Sequence, residues 1–436
     1  MNSDILDDTE PLQIVTLISW YLPGYKAGGP IRSIANLVAR LGRDFHFRIV
    51  TSDRDLGDSS TYPGVSTGCW LPVGEAEVMY LPSGWRGDLK LARMLLSQDS
   101  KSVLYLNGFF ARRSILALLM NRLGLLQTRH LLVAPQGEFS PGALGIKPYR
   151  KSLYIAMTSR LGFCRRVIWQ ASTKREAEDI RACFPNTRPV SFADLSPDSS
   201  QSDIRAAGSV TIIAKDIEAV PITTNSLKPG DGIIRKKQCG KLRLVFVSRI
   251  SPMKNLLTAL NILKCVAGDV SFNIYGPAED LEYWEKCKNA IQKLPANIQV
   301  RYMGMVEQAR VHEVFADHDL FILPTLGENY GHVICESLIA GCPVLISDQT
   351  PWRNLSEIGV GWDIPLDEPE RFREVLQQCV VADGEHYTDI VIRAREYGKK
   401  ILCDPTIAED YRRMFQYAYR VANPQALISK MKMNEI

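Results

Sequence analysis

Short apolar runs rich in β-branched residues alternate with amphipathic helical stretches along this chain, and the whole series occurs twice. That doubled alternation leaves few folds open. "LQIVTLIS" has the unbroken apolar character of a strand buried on both faces, as strands of parallel sheets are. Pro30 then opens a helix, where its missing N–H costs nothing, and Ile31, Ile34, Ala35, Val38 and Leu41 form that helix's apolar stripe. "FRIVTS", "SVLYLN", "HLLVAP" and "RVIWQAS" are further strands. Between about 186 and 240 the pattern fails, and "DLSPDSSQSDIRAAGS" and "TTNSLKPGDG" read as loop or linker. The second series then runs through the strands "KLRLVFVS", "VSFNIYG", "IQVRYMG", "DLFILPT" and "PVLIS", separated by helices.

A chain of 436 residues is too long for one ordinary core. The pattern predicts an α/β protein of two Rossmann-like, doubly wound domains facing each other across a cleft. The first spans 1–205, a linker 206–240 and the second 241–404; an amphipathic C-terminal helix in 405–436 would fold back on the first domain. Such sheets bind ligands beyond the carboxyl ends of their strands, so the loops after Ser19, Ser248, Tyr275, Tyr302 and Thr325 carry the interest.

The acidic start "MNSDILDDTEPLQ" lacks the basic and apolar regions of a signal peptide. "SILALLMNRLGLL" carries Arg122 and is too short to span a bilayer. The expected location is cytoplasmic, or peripheral at the inner face of the plasma membrane. Ten cysteines are scattered without a CxxC pair, as small buried hydrophobes in a reducing compartment are. Net charge is only +4, yet residues 112–175 hold twelve Lys or Arg against the single acid Glu138. That +11 excess points to an anionic partner such as a membrane surface, or to a solvated helix face.

Three loops carry candidate chemistry. In "WYLPGYKAGGP", Gly28 and Gly29 precede a helix and allow close backbone approach to phosphate, although a plain tight turn reads the same way. In "SRISPMKN", Arg249 and Lys254 stand at a sheet's carboxyl edge, where two cations suit a diphosphate. In "LGENYGHVICESLIAG", Glu328 lies ahead of a helix that starts near Gly331 and His332, and Glu336 lies more than one turn into it. The free N–H groups of such a helix start attract anions. Glu336 either salts a helix surface or, among Val333, Ile334, Leu338 and Ile339, partners a hydroxyl-bearing ligand such as a ribose. There is no GxGxxG or P-loop. "GVSTG" lacks the strand–turn–helix context of a hydrolase nucleophile. Asp317 and Asp319 form a DxD at the start of a buried strand and read as structural, so no metal site is expected.

"FVSRISPMKNL" with "PTLGENYGHVICESLIAGCPVLISD" resembles the donor site of glycosyltransferase family 4, retaining enzymes of the GT-B fold. The E-x7-E spacing is met by Glu328 and Glu336. "GGPIRSIANLVARL" is similar to the family's N-terminal glycine loop and first helix. The resemblance implies that Arg249 and Lys254 neutralise the diphosphate of a UDP- or GDP-linked sugar, with no separate cofactor. Glu336 would bond the ribose and Glu328 the transferred sugar. The stretch Asn329, Tyr330, Gly331, His332 would contact sugar and phosphate, with Gly28 and Gly29 closing on the phosphates. Met305 and Val306 would lie against the base. Where many family members carry a His on the acceptor side, this chain has "APQGEFSPG", with Gln136 and Glu138. The usual Pro-Asn-Gly hinge is replaced by "AVPITTN" around Pro221.

The resulting expectation is a retaining, metal-independent hexosyltransferase acting on a lipid-linked or oligosaccharide acceptor in bacterial surface polysaccharide synthesis. Residues 112–175 would rest on anionic membrane. The alternatives are a nucleotide-sugar epimerase of the same fold, and a non-catalytic nucleotide- or RNA-binding protein. The last is disfavoured because no RNP or KH signature accompanies the basic stretch.

Overall fold

The computed structural model describes residues 11–98, 102–127, 130–190, 210–213, 237–307, 310–402 and 405–422. The chain divides into two compact units, Met1–Ile217 with Pro405–Ile436, and Glu218–Asp404. The region around Pro221 lies outside the described residues.

The first unit is built on β1 (Gln13–Leu17), β2 (His46–Ser52), β3 (Trp70–Val73), β4 (Ala76–Leu81), β5 (Ser102–Asn107), β6 (Leu131–Ala134), β7 (Val167–Ala171), β8 (Arg188–Val190) and β9 (Val210–Ile213). Among the described residues these nine form one sheet in the order β3-β4-β2-β1-β5-β6-β7-β9-β8. Every pairing is parallel except β3 with β4. Alternation along the strands feeds two cores. Ile14, Phe47, Val78 and Tyr105 face one side, and Val15, Val50, Met79 and Leu104 the other. The helix Gly29–Leu41 starts at Pro30 as expected and buries Ile31, Ile34, Ala35, Val38 and Leu41.

The second unit holds β10 (Lys241–Val247), β11 (Asp269–Tyr275), β12 (Ile298–Gly304), β13 (Leu320–Leu323), β14 (Val344–Ser347) and β15 (Gly361–Ile364). Its described strands form an all-parallel sheet ordered β12-β11-β10-β13-β14-β15. Taken in chain order this is the 3-2-1-4-5-6 arrangement of dinucleotide-binding folds.

Both ends of the expected linker differ from the sequence reading. Val210–Ile213, placed in the 206–240 linker, forms β9 and pairs parallel with β7. At the linker's other end, Lys237 is buried and its ammonium donates to the Lys241 carbonyl at 2.6 Å, so this end packs into the second unit. The quartet "VTII" is strand-forming by itself, and the polar residues around it obscured that.

The helix Pro405–Ala422 packs on the first sheet. Phe415 is fully buried, with ring centroids 5.4 Å from Phe45, 6.1 Å from Phe47 and 5.6 Å from Tyr105. A buried polar chain reinforces it: the Tyr105 hydroxyl donates to Gln170 Oε1 at 2.5 Å, and Gln170 Nε2 donates to the Tyr411 hydroxyl at 2.7 Å. Removing an aromatic ring from such a site costs about 3–5 kcal/mol. Phe415→Ala should therefore lower the denaturant midpoint of the first unit's unfolding by a corresponding amount, read by urea titration of circular dichroism.

Candidate active site

In a 3-2-1-4-5-6 sheet the chain leaves β10 and its neighbour β13 toward opposite sides, which opens a crevice beyond their carboxyl ends. The two loops that border it are 248–255 and 324–331, the segments singled out in the sequence. They are stitched together. The Thr325 hydroxyl and the Leu326 N–H both donate to the Met253 carbonyl, at 3.0 and 2.8 Å. The Ser347 hydroxyl, from the end of β14, donates to the Thr325 carbonyl at 2.5 Å. The Glu328 N–H donates to the Gln349 carbonyl at 3.0 Å.

This stitching brings the Lys254 ammonium onto the Glu328 carboxylate as an ion pair. Their side chains keep only 11% and 14% of their exposure. Lys254 ends a short 3-10 turn, Pro252–Lys254, and Asn255 then adopts φ 55° to start the helix Leu256–Leu263.

Arg249 takes a different direction. Its guanidinium meets both oxygens of Glu279, at 2.8 and 3.0 Å, in an exposed pair on the loop after β11. The structure thus joins Lys254 to Glu328 and leaves Arg249 on Glu279. Glu279 was not foreseen, because its partner lies in another strand's loop. The 248–250 backbone leans on that loop: Ile250 N–H donates to Pro277 O at 2.9 Å. A Cβ on Gly276, at φ +133°, would stand 1.9 Å from the Ser248 carbonyl oxygen.

Past Glu328 come Asn329 and Tyr330, both half-buried. Trp352 Nε1–H donates to the Tyr330 carbonyl at 2.6 Å, and the Tyr330 ring sits 4.8 Å from His332. Gly331, at φ 82°, starts the helix His332–Ala340, and no side chain caps it. Here the sequence expectation and the structure agree. His332 is buried and Glu336 is half-buried further along the same helix. Met305 and Val306 follow Gly304 at the end of β12; Met305 is exposed and Val306 packs partly on the core.

In the first unit Gly28 precedes the helix at φ 70° and Gly29 is its first residue. The loop before them is organised by Asp55, a buried residue that the sequence did not flag. Its carboxylate accepts from the Tyr25 N–H at 2.8 Å, the Lys26 N–H at 3.2 Å and the Leu56 N–H at 2.7 Å.

Gln136 and Glu138 lie beyond β6. Gln136 adopts φ 55° and its Nε2 donates to Asn107 Oδ1 at 3.4 Å. Glu138 Oε2 accepts from the Phe109 and Phe110 N–H groups, at 2.5 and 3.1 Å. Burial pushes the Glu138 carboxyl up to about 7, opposed by those two amides and by the charge of Lys151. Asp319, of the DxD pair, is buried on Arg243, which reaches it at 2.6 Å. The structural reading of Asp319 stands. Among the described residues no cluster of three His, Cys, Asp or Glu could hold a metal ion. No described helix is long and apolar enough to cross a membrane.

Comparison with known proteins follows the same division. Residues 234–397 match the family model of glycosyl transferases group 1. This stretch lies within the second unit, where Lys254, Glu328 and Glu336 stand. The chain is 29% identical over 147 residues to phosphatidyl-myo-inositol mannosyltransferase of Mycobacterium tuberculosis, covering 32% of this chain. It spans only 36% of that relative's length. The structure superimposes on Anabaena Alr3699/HepE in complex with UDP-glucose with a TM-score of 0.62, at 14% identity, over 93% of this chain and 99% of that one. It superimposes on WaaG, a glycosyltransferase involved in lipopolysaccharide biosynthesis, with a TM-score of 0.58, at 14% identity, over 94% and 99%. The chain has the GT-B fold of these proteins.

Two outcomes follow. Gly276→Ala should cost about 2–4 kcal/mol, because the Ser248 backbone must yield to the new methyl; urea denaturation of the second unit measures this. Glu138 binds its proton more tightly folded than unfolded, since its ordinary value is 4.5 and the folded value is about 7. Its contribution is therefore intact below the unfolded value and is lost as pH rises toward the folded one. Between about pH 5 and pH 8 the wild type should lose on the order of 1–3 kcal/mol relative to Glu138→Gln, read as diverging denaturation midpoints.

Proposed function

We propose that the protein is a retaining, metal-independent hexosyltransferase of glycosyltransferase family 4. Its donor is a UDP- or GDP-linked sugar. Its acceptor is lipid-linked or an oligosaccharide, in the synthesis of a surface polysaccharide such as lipopolysaccharide O-antigen, capsule or exopolysaccharide. The observation that carries this reading is the Lys254–Glu328 pair at the switch point of the second sheet, just ahead of the helix His332–Ala340. The group 1 match over this unit supports it, as does the likeness in fold to a protein solved with UDP-glucose.

The chemistry requires stabilisation of a departing nucleoside diphosphate. Lys254 supplies a nearly buried cation, and the first amides and dipole of the helix after Gly331 add further positive potential. A diphosphate would draw Lys254 from Glu328 and release that carboxylate to the hydroxyls of the sugar. Arg249 would join by exchanging Glu279 for phosphate. An exposed pair of this kind is worth only about 0–1 kcal/mol, so a dianion can displace it. Glu336 would hold the ribose, and Asn329 to His332 would follow the sugar and phosphate. With the leaving phosphate taking the acceptor's proton on the face it departs from, no strong protein base is needed.

A thermal-shift panel of UDP-, GDP- and ADP-sugars tests this. A cognate donor at a hundred times its Kd should stabilise the protein by about 2.7 kcal/mol. Lys254→Ala and Glu336→Ala should each lose most of that shift. A full shift retained by both variants would remove the proposed donor site.

A further inference from the structure

The helix Pro148–Arg160 buries a single residue, Thr158, although it carries several large apolar side chains. Tyr149 is 89% exposed, Leu153 72%, and Met157 43%, at intervals of four residues that place them in one row along the helix. Leu161 continues the row, and Ile146 precedes it, both more than half exposed. Helix Arg112–Arg122 is tied to the end of this row, since Arg122 Nε donates to the Leu161 carbonyl at 2.7 Å. It leads into two more exposed leucines, Leu123 and Leu125. A monomer rarely leaves such a row of large apolar groups in water without a use for it.

The charges around the row choose its occupant. Lys147, Arg150, Arg160, Arg165 and Arg166 are exposed beside it, and no Asp or Glu occurs between Glu138 and Glu176. A second copy docking through a two-fold axis would set these cations against themselves. A nucleic acid would match the charge, but Tyr149 is the single aromatic side chain of the row, and Leu153, Met157 and Leu161 offer its bases no stacking surface. An anionic bilayer satisfies both, with phosphate at the basic rim and acyl chains beneath the apolar row.

We propose that the row Tyr149–Leu153–Met157–Leu161 inserts into the headgroup boundary of an anionic lipid bilayer, with Arg150 and Arg160 on lipid phosphates. The inner side of the same helix reaches the loop that carries the acceptor-side candidates. The Tyr154 ring lies 5.1 Å from Phe109 and 5.7 Å from Phe110, whose N–H groups hold Glu138. Lys151 Nζ sits over the Phe110 ring at 5.1 Å and donates to the Ala143 carbonyl at 2.6 Å. One helix thus joins the lipid-facing row to Glu138, and this favours a lipid-linked acceptor over a free oligosaccharide. That choice of acceptor rests on the transferase reading, whereas the docking does not.

The full-length protein is floated with phosphatidylcholine vesicles, with and without phosphatidylglycerol. The wild type should bind the anionic vesicles alone and release in high salt. Leu153→Glu/Met157→Glu and Arg150→Glu/Arg160→Glu should each weaken binding about tenfold or more. All four positions are exposed, and an unchanged melting temperature together with an unchanged donor-induced shift establishes that each variant is folded. Equal binding to both vesicle types overturns the proposal, as does a Leu153→Glu/Met157→Glu variant that floats like the wild type. So does sedimentation showing a wild-type dimer that this variant dissociates, since the row would then meet a second copy. Failure here leaves the donor shift intact, so the two readings fall separately.

Discussion

The Lys254–Glu328 ion pair is the contact on which the reading of this molecule turns. It is hard to explain as a device for stability. Two charges largely withdrawn from water lose about as much hydration as they regain in attraction, and apolar residues would often serve as well. Yet the surrounding backbone is organised to keep them together. Thr325 is fully buried and shares the Met253 carbonyl with Leu326, Ser347 fixes the Thr325 carbonyl, and the Glu328 amide is held by Gln349. Without ligand each charge is the other's counter-ion. A ligand that offers an anion to one and hydroxyls to the other can divide the pair without stranding either charge, and a sugar joined to a diphosphate is such a ligand.

The sheet explains why the pair falls where it does. β10 lies at the centre of the sheet with β11 and β13 on either side, so the loops after β10 and β13 border the switch point. Loop 248–255 is held from both directions. On one side it carries Lys254 to Glu328; on the other the absence of a side chain at Gly276 lets the Ser248 carbonyl pass close by. Glycine is needed there for space as well as for its φ of +133°.

Much of this was legible in the sequence because it is local. The buried strands are short, apolar and followed at once by their loops, so Lys254 and Glu328 could be placed at a sheet's carboxyl edge by counting. The start of the helix at Gly331 was legible for the same reason. Much of what escaped is non-local or lies at an edge, although the interior strands β4 and β9 escaped as well. β3 contains Pro72 and is largely unburied, and β15 is the quartet "GWDI" with its middle two residues half-exposed, so neither shows the apolar run of an interior strand. The pairing of Arg249 with Glu279 depends on two loops that follow different strands. The grip of Glu138 on the Phe109 and Phe110 amides spans 29 and 28 residues. A spacing rule sees that an Arg or a Glu is present, but only the fold says which group it meets.

The same contrast separates the work of the two units. At the carboxyl edge of the first sheet, Glu138 occupies the Phe109 and Phe110 amides, and Glu176 accepts from the Gly137 and Ser172 N–H groups at 2.6 and 2.7 Å. Donors that could have met an anion are already filled by carboxylates. Arg113 reaches this edge, but it is already committed to the Ser19 and Leu81 carbonyls, both at 3.4 Å; burial pulls its guanidinium down to about 10 against the raising charges of Asp88 and Asp53, and it stays cationic. In the second unit the helix after Gly331 carries no side-chain cap, and Lys254 is balanced by one carboxylate that sugar hydroxyls could take over. A diphosphate is therefore better matched to the second unit.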